Sequence, residues 1–352
     1  MKKFNAVLLA IIAAAAMTTG CASGGNNGDS DVSETTTASA ETTSAADAAA
    51  LETEQTDEAA EPANESAEDE EDYDTGDASL DNIRNQDGIG ENEMLVISFG
   101  TSFNDSRRLT IGAIENDLEA AFPDYSVRRG FTANIVIDHI ERRDGIHIDD
   151  VDEALSRAAD NGVKTLVVQP THLMNGFEYD ELINKVGGYS DAFEKVVFGE
   201  PLLTSDDDFK KVEKAITEWT SEYDDGETAI VFMGHGTEAE SNSVYQKMQD
   251  MLTADGYANY FIGTVEAAPS LEDVLAAVKA GGYKRVVLEP LMVVAGDHAN
   301  NDMAGNEEDS WKTTFENEGF EVVCLLRGLG ENEAIRQLYV EHAQAAINSI
   351  SE

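Results

Sequence analysis

The chain runs through the same succession of elements twice, and this repetition constrains its fold more than any other feature. Each copy opens with an apolar run ending in a glycine turn, MLVISFGTS from Met94 and AIVFMGHGT from Ala229. A stretch with apolar residues at three-to-four spacing follows, LTIGAIENDLEAAF in the first copy and SVYQKMQDML in the second. Further on, VDEALSRAADNGVKTLVVQP from Val151 parallels LEDVLAAVKAGGYKRVVLEP from Leu271. Both read as a helix closed by glycine, then a β-branched strand running into proline, Pro170 or Pro290. Short continuous apolar strands alternating with helices predict an α/β fold whose parallel sheets are covered on both faces. Two similar doubly wound halves are expected, at 93–226 and 227–352, with a cleft between them and a closing C-terminal helix over 331–349. The polar stretch 221–226 marks the boundary.

The ends of the chain set its expected location. Lys2 and Lys3 precede an apolar run over 6–17 and then Thr18-Thr19-Gly20-Cys21. That run is short for a membrane span and has the charged start of a secretory signal, so 1–20 is expected to be a lipoprotein signal peptide. Cys21 would be the lipidated residue, although Thr18 stands where such signals usually carry an aliphatic side chain. From 21 to 92 the sequence is rich in Ser, Thr, Ala, Glu and Asp, with Arg84 its one basic residue. Such a segment buries too little apolar surface to offset its ordering entropy and reads as a disordered acidic tether. The expected protein is therefore exported and held at the extracytoplasmic face of the membrane by a lipid anchor. A net charge of -47 excludes nucleic acid as an expected partner. Cys324 is the one cysteine beyond Cys21, so no intrachain disulfide framework is expected within the folded part.

Three of the six histidines sit beside glycine or proline turns at the ends of apolar runs: His172 in QPTHLMNGFEYD, His235 in VFMGHGTEAE and His298 in VVAGDHANND. Strand ends are where α/β folds place their ligand crevice, and the pattern suggests a metal site. Superposing the copies puts Phe99 opposite His235, Met292 opposite His172 and Glu178 opposite His298. Each histidine belongs to one copy only, which suits an asymmetric site better than a packing requirement. A single histidine at such a position is more often a hydrogen-bonded structural residue, and His139, His147 and His342 support no functional claim. No phosphate-binding loop or nucleophile elbow is present.

The segments SFGTSFNDSRR, VQPTHLMNGFEYD, FGEPLL, MGHGTE and EPLMVVAGDHANNDMAG make residues 94–352 resemble the sirohydrochlorin cobaltochelatases of the anaerobic cobalamin pathway, which are ATP-independent class II chelatases. The resemblance implies two Rossmann-like halves, a tetrapyrrole bound between them and a divalent metal delivered as substrate: Co²⁺, with Fe²⁺ or Ni²⁺ as alternatives. It implies a metal set of His172, Glu200 and His235, with His172 also the catalytic proton acceptor and His298 beside the tetrapyrrole. Two imidazoles and one carboxylate leave open coordination positions from which the ion can pass to the macrocycle. Substrate carboxylates are expected to meet Arg107 and Arg108, with Arg128 and Arg129 as weaker candidates, and Phe99 to touch the macrocycle. Homo-oligomerisation is left open. The alternative expectation is an envelope-anchored protein that binds haem, another tetrapyrrole or a metal for uptake, without turnover.

Overall fold

The computed structural model describes residues 75–350. The expected signal peptide, Cys21 and the tether up to residue 74 lie outside the described residues. Among those described, no helix is long and apolar enough to cross a membrane.

Each half is a four-stranded parallel sheet. The first contains β1 (Asn92–Ser98), β2 (Ser126–Phe131), β3 (Thr165–Pro170) and β4 (Lys195–Phe198) in the order β2-β1-β3-β4. The second contains β5 (Thr228–Gly234), β6 (Tyr260–Thr264), β7 (Arg285–Pro290) and β8 (Glu321–Cys324) in the order β6-β5-β7-β8. The central strands are buried along nearly their whole length, as expected where helices cover both faces of a parallel sheet. The repeat read from sequence is a repeat in register. Ile97 of β1 pairs with Pro170, and Met233 of β5 pairs with Pro290. Three residues beyond each, Gly100 and Gly236 have φ of 108° and 90°, and a Cβ there would strike the Phe131 ring or the Ala267 backbone.

Among the described residues, ten α-helices connect and cover the strands: α1 (Asn104–Leu109), α2 (Ile111–Ala121), α3 (Asn134–Asp144), α4 (Val151–Asp160), α5 (Phe177–Gly188), α6 (Asp206–Trp219), α7 (Ser243–Ala254), α8 (Leu271–Gly281), α9 (Trp311–Asn317) and α10 (Glu333–Ser349). Capping boxes start α4 at Asp150, α6 at Ser205 and α8 at Ser270, each with an acidic residue three positions on returning the hydrogen bond. The closing helix α10 packs on β3, β4, α2 and α6, so the last element of the chain covers the first sheet. Tyr339 on α10 donates its hydroxyl to the Thr171 carbonyl at 2.8 Å. The largest apolar cluster joins Met94, Val96 and Ile114 to Phe232, Tyr245 and Val287. The two halves therefore share their largest apolar cluster, while each also packs a cluster of its own around Leu95 and Leu166 or around Val231 and Phe315.

Residues 75–91, expected to belong to the tether, are ordered instead. Residues 75–91 lie on the first half, although their sequence offers little to a hydrophobic core. Charge pairs hold them. Asp81 accepts from Arg107 Nε at 2.7 Å and from Arg129 Nη1 at 2.6 Å, while Arg129 also pairs with Glu115 at 2.7 Å. Arg84 reaches Asn116 at 2.7 Å and Glu119 at 3.1 Å. Both Arg107 and Arg129 are fully buried. Burial pushes the Asp81 carboxyl up, but Arg129 and Arg107 outweigh it and hold the group below the usual carboxylate range.

Two other buried carboxyls are tuned in the opposite direction. Burial pushes Glu93 on β1 and Glu289 on β7 up to about 7, against the opposing pull of Arg128 and Arg327 respectively. Arg128 stands 3.9 Å from Glu93, too far for a hydrogen bond. A folded-state value raised from 4.5 to about 7 means that the folded protein retains a proton the unfolded chain releases. The contribution of Glu93 is therefore complete below about pH 4.5 and is lost as pH rises to 7, a change on the order of 3 kcal/mol. His172, depressed to about 4, slopes the other way, so the informative quantity is the difference between variant and wild type at each pH. Glu93→Gln should gain thermal stability relative to wild type from pH 4.5 to 7.5. A melting-temperature difference that is flat across this range would contradict the assignment.

Candidate metal centre

The centre is built at the carboxyl ends of three neighbouring strands of the second sheet, the crevice position of α/β folds. β5 ends at Gly234 and presents His235, β6 ends at Thr264 and presents Glu266, and the loop after β7 presents His298. Backbone pairing continues past the strands and joins two of these loops, with Val265 N donating to the Gly234 carbonyl at 3.0 Å and Glu266 N to the His235 carbonyl at 2.9 Å. One donor atom from each of His235, Glu266 and His298 lies within 4.8 Å of the others. The two imidazoles meet edge to face with centroids 4.7 Å apart, and a Glu266 oxygen stands 3.7 Å from His235 Nδ1. The His235 side chain is 41 % exposed, so an ion held here would stay accessible from solvent.

The first half lacks this set. Residues matching His235, Glu266 and His298 are Phe99, Ala133 and Glu178, on the strand register that pairs Ser98 with Phe131 and Gly234 with Thr264. Phe99 and Ala133 pack into an apolar cluster with Phe131 and Ile137 instead. The duplicated scaffold thus builds one centre and fills the equivalent place with hydrocarbon.

These positions change several expectations. Among the described residues, His172, Glu200 and His235 do not bring their donor atoms together, whereas Glu266 and His298 join His235. His298, expected beside the tetrapyrrole, lies with its ring against that of His235 and within reach of Glu266. Glu200 follows the edge strand β4, and its backbone carbonyl accepts from Gln169 Nε2 at 3.2 Å and His342 Nδ1 at 2.9 Å. Its side chain is exposed. Arg107 cannot receive a substrate carboxylate in this arrangement, because Asp81, the Thr101 carbonyl and Asn104 occupy its guanidinium in the interior. Phe99 is half-buried and shares its cluster with Val294 of the second half, which places it at the junction of the halves. Arg128 and Arg129 are buried, and Arg108 pairs with Asp105 at 2.9 Å.

His172 occupies a different environment. Both ring nitrogens are shielded from solvent and have no hydrogen-bond partner. Burial pushes its pKa down to about 4, and the Glu178 carboxylate opposes that shift. The imidazole is therefore neutral at physiological pH. Segments that follow β3 and β5 line a cavity of about 440 Å³, with Asn175, Phe177 and Asp180 on one side and Glu238, Glu240 and Ser241 on the other.

Sequence reasoning missed Glu266, which sits in VEAAP without a histidine or glycine motif. Its one available signal was position, two residues past a strand that neighbours the His235 strand. One further group, His147 with Asp149 and Glu153, also gathers donors within 4.8 Å. There Arg157 engages both Asp149 oxygens, and Glu153 caps α4.

Comparison with known proteins agrees with this architecture. Residues 92–348 match the cobalt chelatase (CbiK) family. The chain belongs to that family. The chelatase is 37% identical over 255 residues to the sirohydrochlorin cobaltochelatase of Salmonella typhimurium, covering 72% of this chain and 96% of that protein. It is 29% identical over 279 residues to sirohydrochlorin cobaltochelatase CbiKC of Nitratidesulfovibrio vulgaris, covering 78% and 98%. Its fold is similar to that of SirB from Bacillus subtilis with Fe³⁺, at a TM-score of 0.53 and 11% identity over 75% of this chain and 98% of that one. The sirohydrochlorin chelatase SirB from Bacillus subtilis subspecies spizizenii, solved with cobalt, gives a TM-score of 0.50 at 12% identity over the same shares. The two parallel sheets and their helices are thus those of class II chelatases.

Proposed function

We propose that the chelatase inserts Co²⁺ into sirohydrochlorin for cobalamin biosynthesis, holding the ion on His235, Glu266 and His298. The observation that carries this reading is the convergence of these three donors at adjacent strand ends in a cobalt chelatase fold. Imidazole and carboxylate suit Co²⁺ and also accept Fe²⁺ or Ni²⁺, so metal choice rests with supply and with the macrocycle. Three protein ligands leave positions open for pyrrole nitrogens. Insertion exchanges one divalent ion for two pyrrolic protons, so charge is conserved without ATP.

His172 serves as proton acceptor in this reading and is not a ligand. Its lowered pKa keeps it in the neutral, accepting form, and Glu178 stabilises the imidazolium as the proton arrives. His172→Ala should lower kcat for metallation by about 100-fold while leaving the Co²⁺ dissociation constant unchanged. An equal loss of Co²⁺ affinity would return His172 to the ligand set. Asp180, Glu238 and Glu240 at the cavity raise the local cation concentration.

The N-terminal pattern supports an exported form, cleaved before Cys21 and lipidated there, with the chelatase body on a tether. Metabolic labelling with a fatty acid analogue tests this, since Cys21→Ser should abolish the label. Retained label would remove the anchor.

A further inference from the structure

We propose that Tyr245 is a positioning residue which, through the turn 235–237, aims the His235 imidazole at the incoming ion. The inference rests on the reading of His235 as a Co²⁺ ligand and uses no other donor. His235 Nδ1 lies 2.7 Å from the Gly236 carbonyl. A neutral imidazole carries one N–H, and with a carbonyl accepting at Nδ1 the lone pair belongs to Nε2. The ring is half-exposed, so packing does little to set its direction and the turn must set it. Two side chains from the start of α7 hold that turn. The buried Tyr245 hydroxyl accepts from Gly236 N at 3.3 Å, and Asn242 Oδ1 accepts from Thr237 N at 3.1 Å. Asn242 is itself fixed, donating from Nδ2 to the Ala268 carbonyl at 2.8 Å. The peptides on both sides of Gly236 are thus held, and its carbonyl is kept where the His235 ring meets it.

The strand end is shaped to admit this tyrosine. A Cβ at Gly234 would enter the Tyr245 ring, so β5 finishes on the residue that lets an aromatic lie against its backbone. The first copy lacks the arrangement. Ser98 stands at the place of Gly234, on the register that pairs Ser98 with Phe131 and Gly234 with Thr264. Ten residues beyond Phe99, as Tyr245 is beyond His235, comes Leu109, which is exposed. The clamp therefore occurs only in the copy whose turn carries a histidine. Hydrocarbon packing alone is served as well by phenylalanine, so what the Tyr245 hydroxyl adds is its bond to the turn.

The test is Co²⁺ binding to the full chain under anaerobic conditions, followed by the visible absorption bands of the bound ion. Tyr245→Phe, which keeps the ring and removes the acceptor, should weaken Co²⁺ binding by about 10-fold and shift those bands. The same substitution in a His235→Ala background should cost nothing further, because its effect passes through that imidazole. A general loss of structure would lower affinity in both backgrounds. Wild-type affinity and bands in Tyr245→Phe, or an equal loss with and without His235, would overturn the proposal. Asn242→Ala frees the neighbouring peptide and is the second variant should Tyr245→Phe fail to fold, with the same expected loss and the same background comparison. Wild-type Co²⁺ binding by His235→Ala alone would instead reject His235 as a ligand, and with it the reading beneath the proposal.

Discussion

Glu266→Ala is expected to slow Co²⁺ insertion by at least about 100-fold if, as proposed, Glu266 is an inner ligand, because loss of outer-shell partners alone costs about 10- to 100-fold. Glu200→Ala should leave the rate within about threefold of wild type, as expected for an exposed side chain outside the proposed ligand set. The contrast follows from position. Glu266 is tied by its backbone to His235 and contributes the one anionic donor of the cluster. Without it a divalent ion would sit between two neutral imidazoles, with its charge uncompensated. Glu200 contributes a backbone carbonyl that Gln169 and His342 use, and its side chain faces solvent. Initial rates from the change in the sirohydrochlorin absorption spectrum measure both variants. A large loss in Glu200→Ala with an unaffected Glu266→Ala would place the ion in the other half of the cleft.

The second large effect concerns residues 75–91. Asp81→Ala should destabilise the protein by about 3–5 kcal/mol, the usual cost of leaving buried charge without its partner. Asp81 is shared by two fully buried guanidiniums, Arg107 and Arg129, and Glu115, which also faces Arg84, pairs with Arg129 but not with Arg107. A chain cut at residue 92, where the family match begins, loses Asp81 and Arg84 together. It should fold poorly for the same reason. Urea unfolding of the Asp81 variant gives the number directly, and a loss under about 1 kcal/mol would show that water or rearrangement rescues the two arginines.

The architecture was legible because it depends on local pattern and on repetition. Continuous apolar runs marked β1 and β5, glycine and proline marked their ends, and the in-register repeat correctly set Phe99 against His235. What was not legible depends on contacts distant in sequence. Asp81 meets Arg107 and Arg129 across separations of 26 and 48 residues, so an acidic, apolar-poor stretch read as tether throughout. Glu266 was hidden for a related reason: an acidic residue in a loop carries no signature until backbone pairing sets it against His235. Arg107 shows the converse, since a basic residue beside a glycine turn suggests anion binding until its partners are seen. His298 was visible as a site residue, but the placement of its ring against that of His235 was not.

The position of the ion is tested most directly by anomalous diffraction at the cobalt edge from crystals of the protein loaded with Co²⁺. One peak is expected within coordinating distance, about 2.1 Å, of His235, Glu266 and His298. A peak bounded by His172 and Glu200, or none near His235, would contradict it.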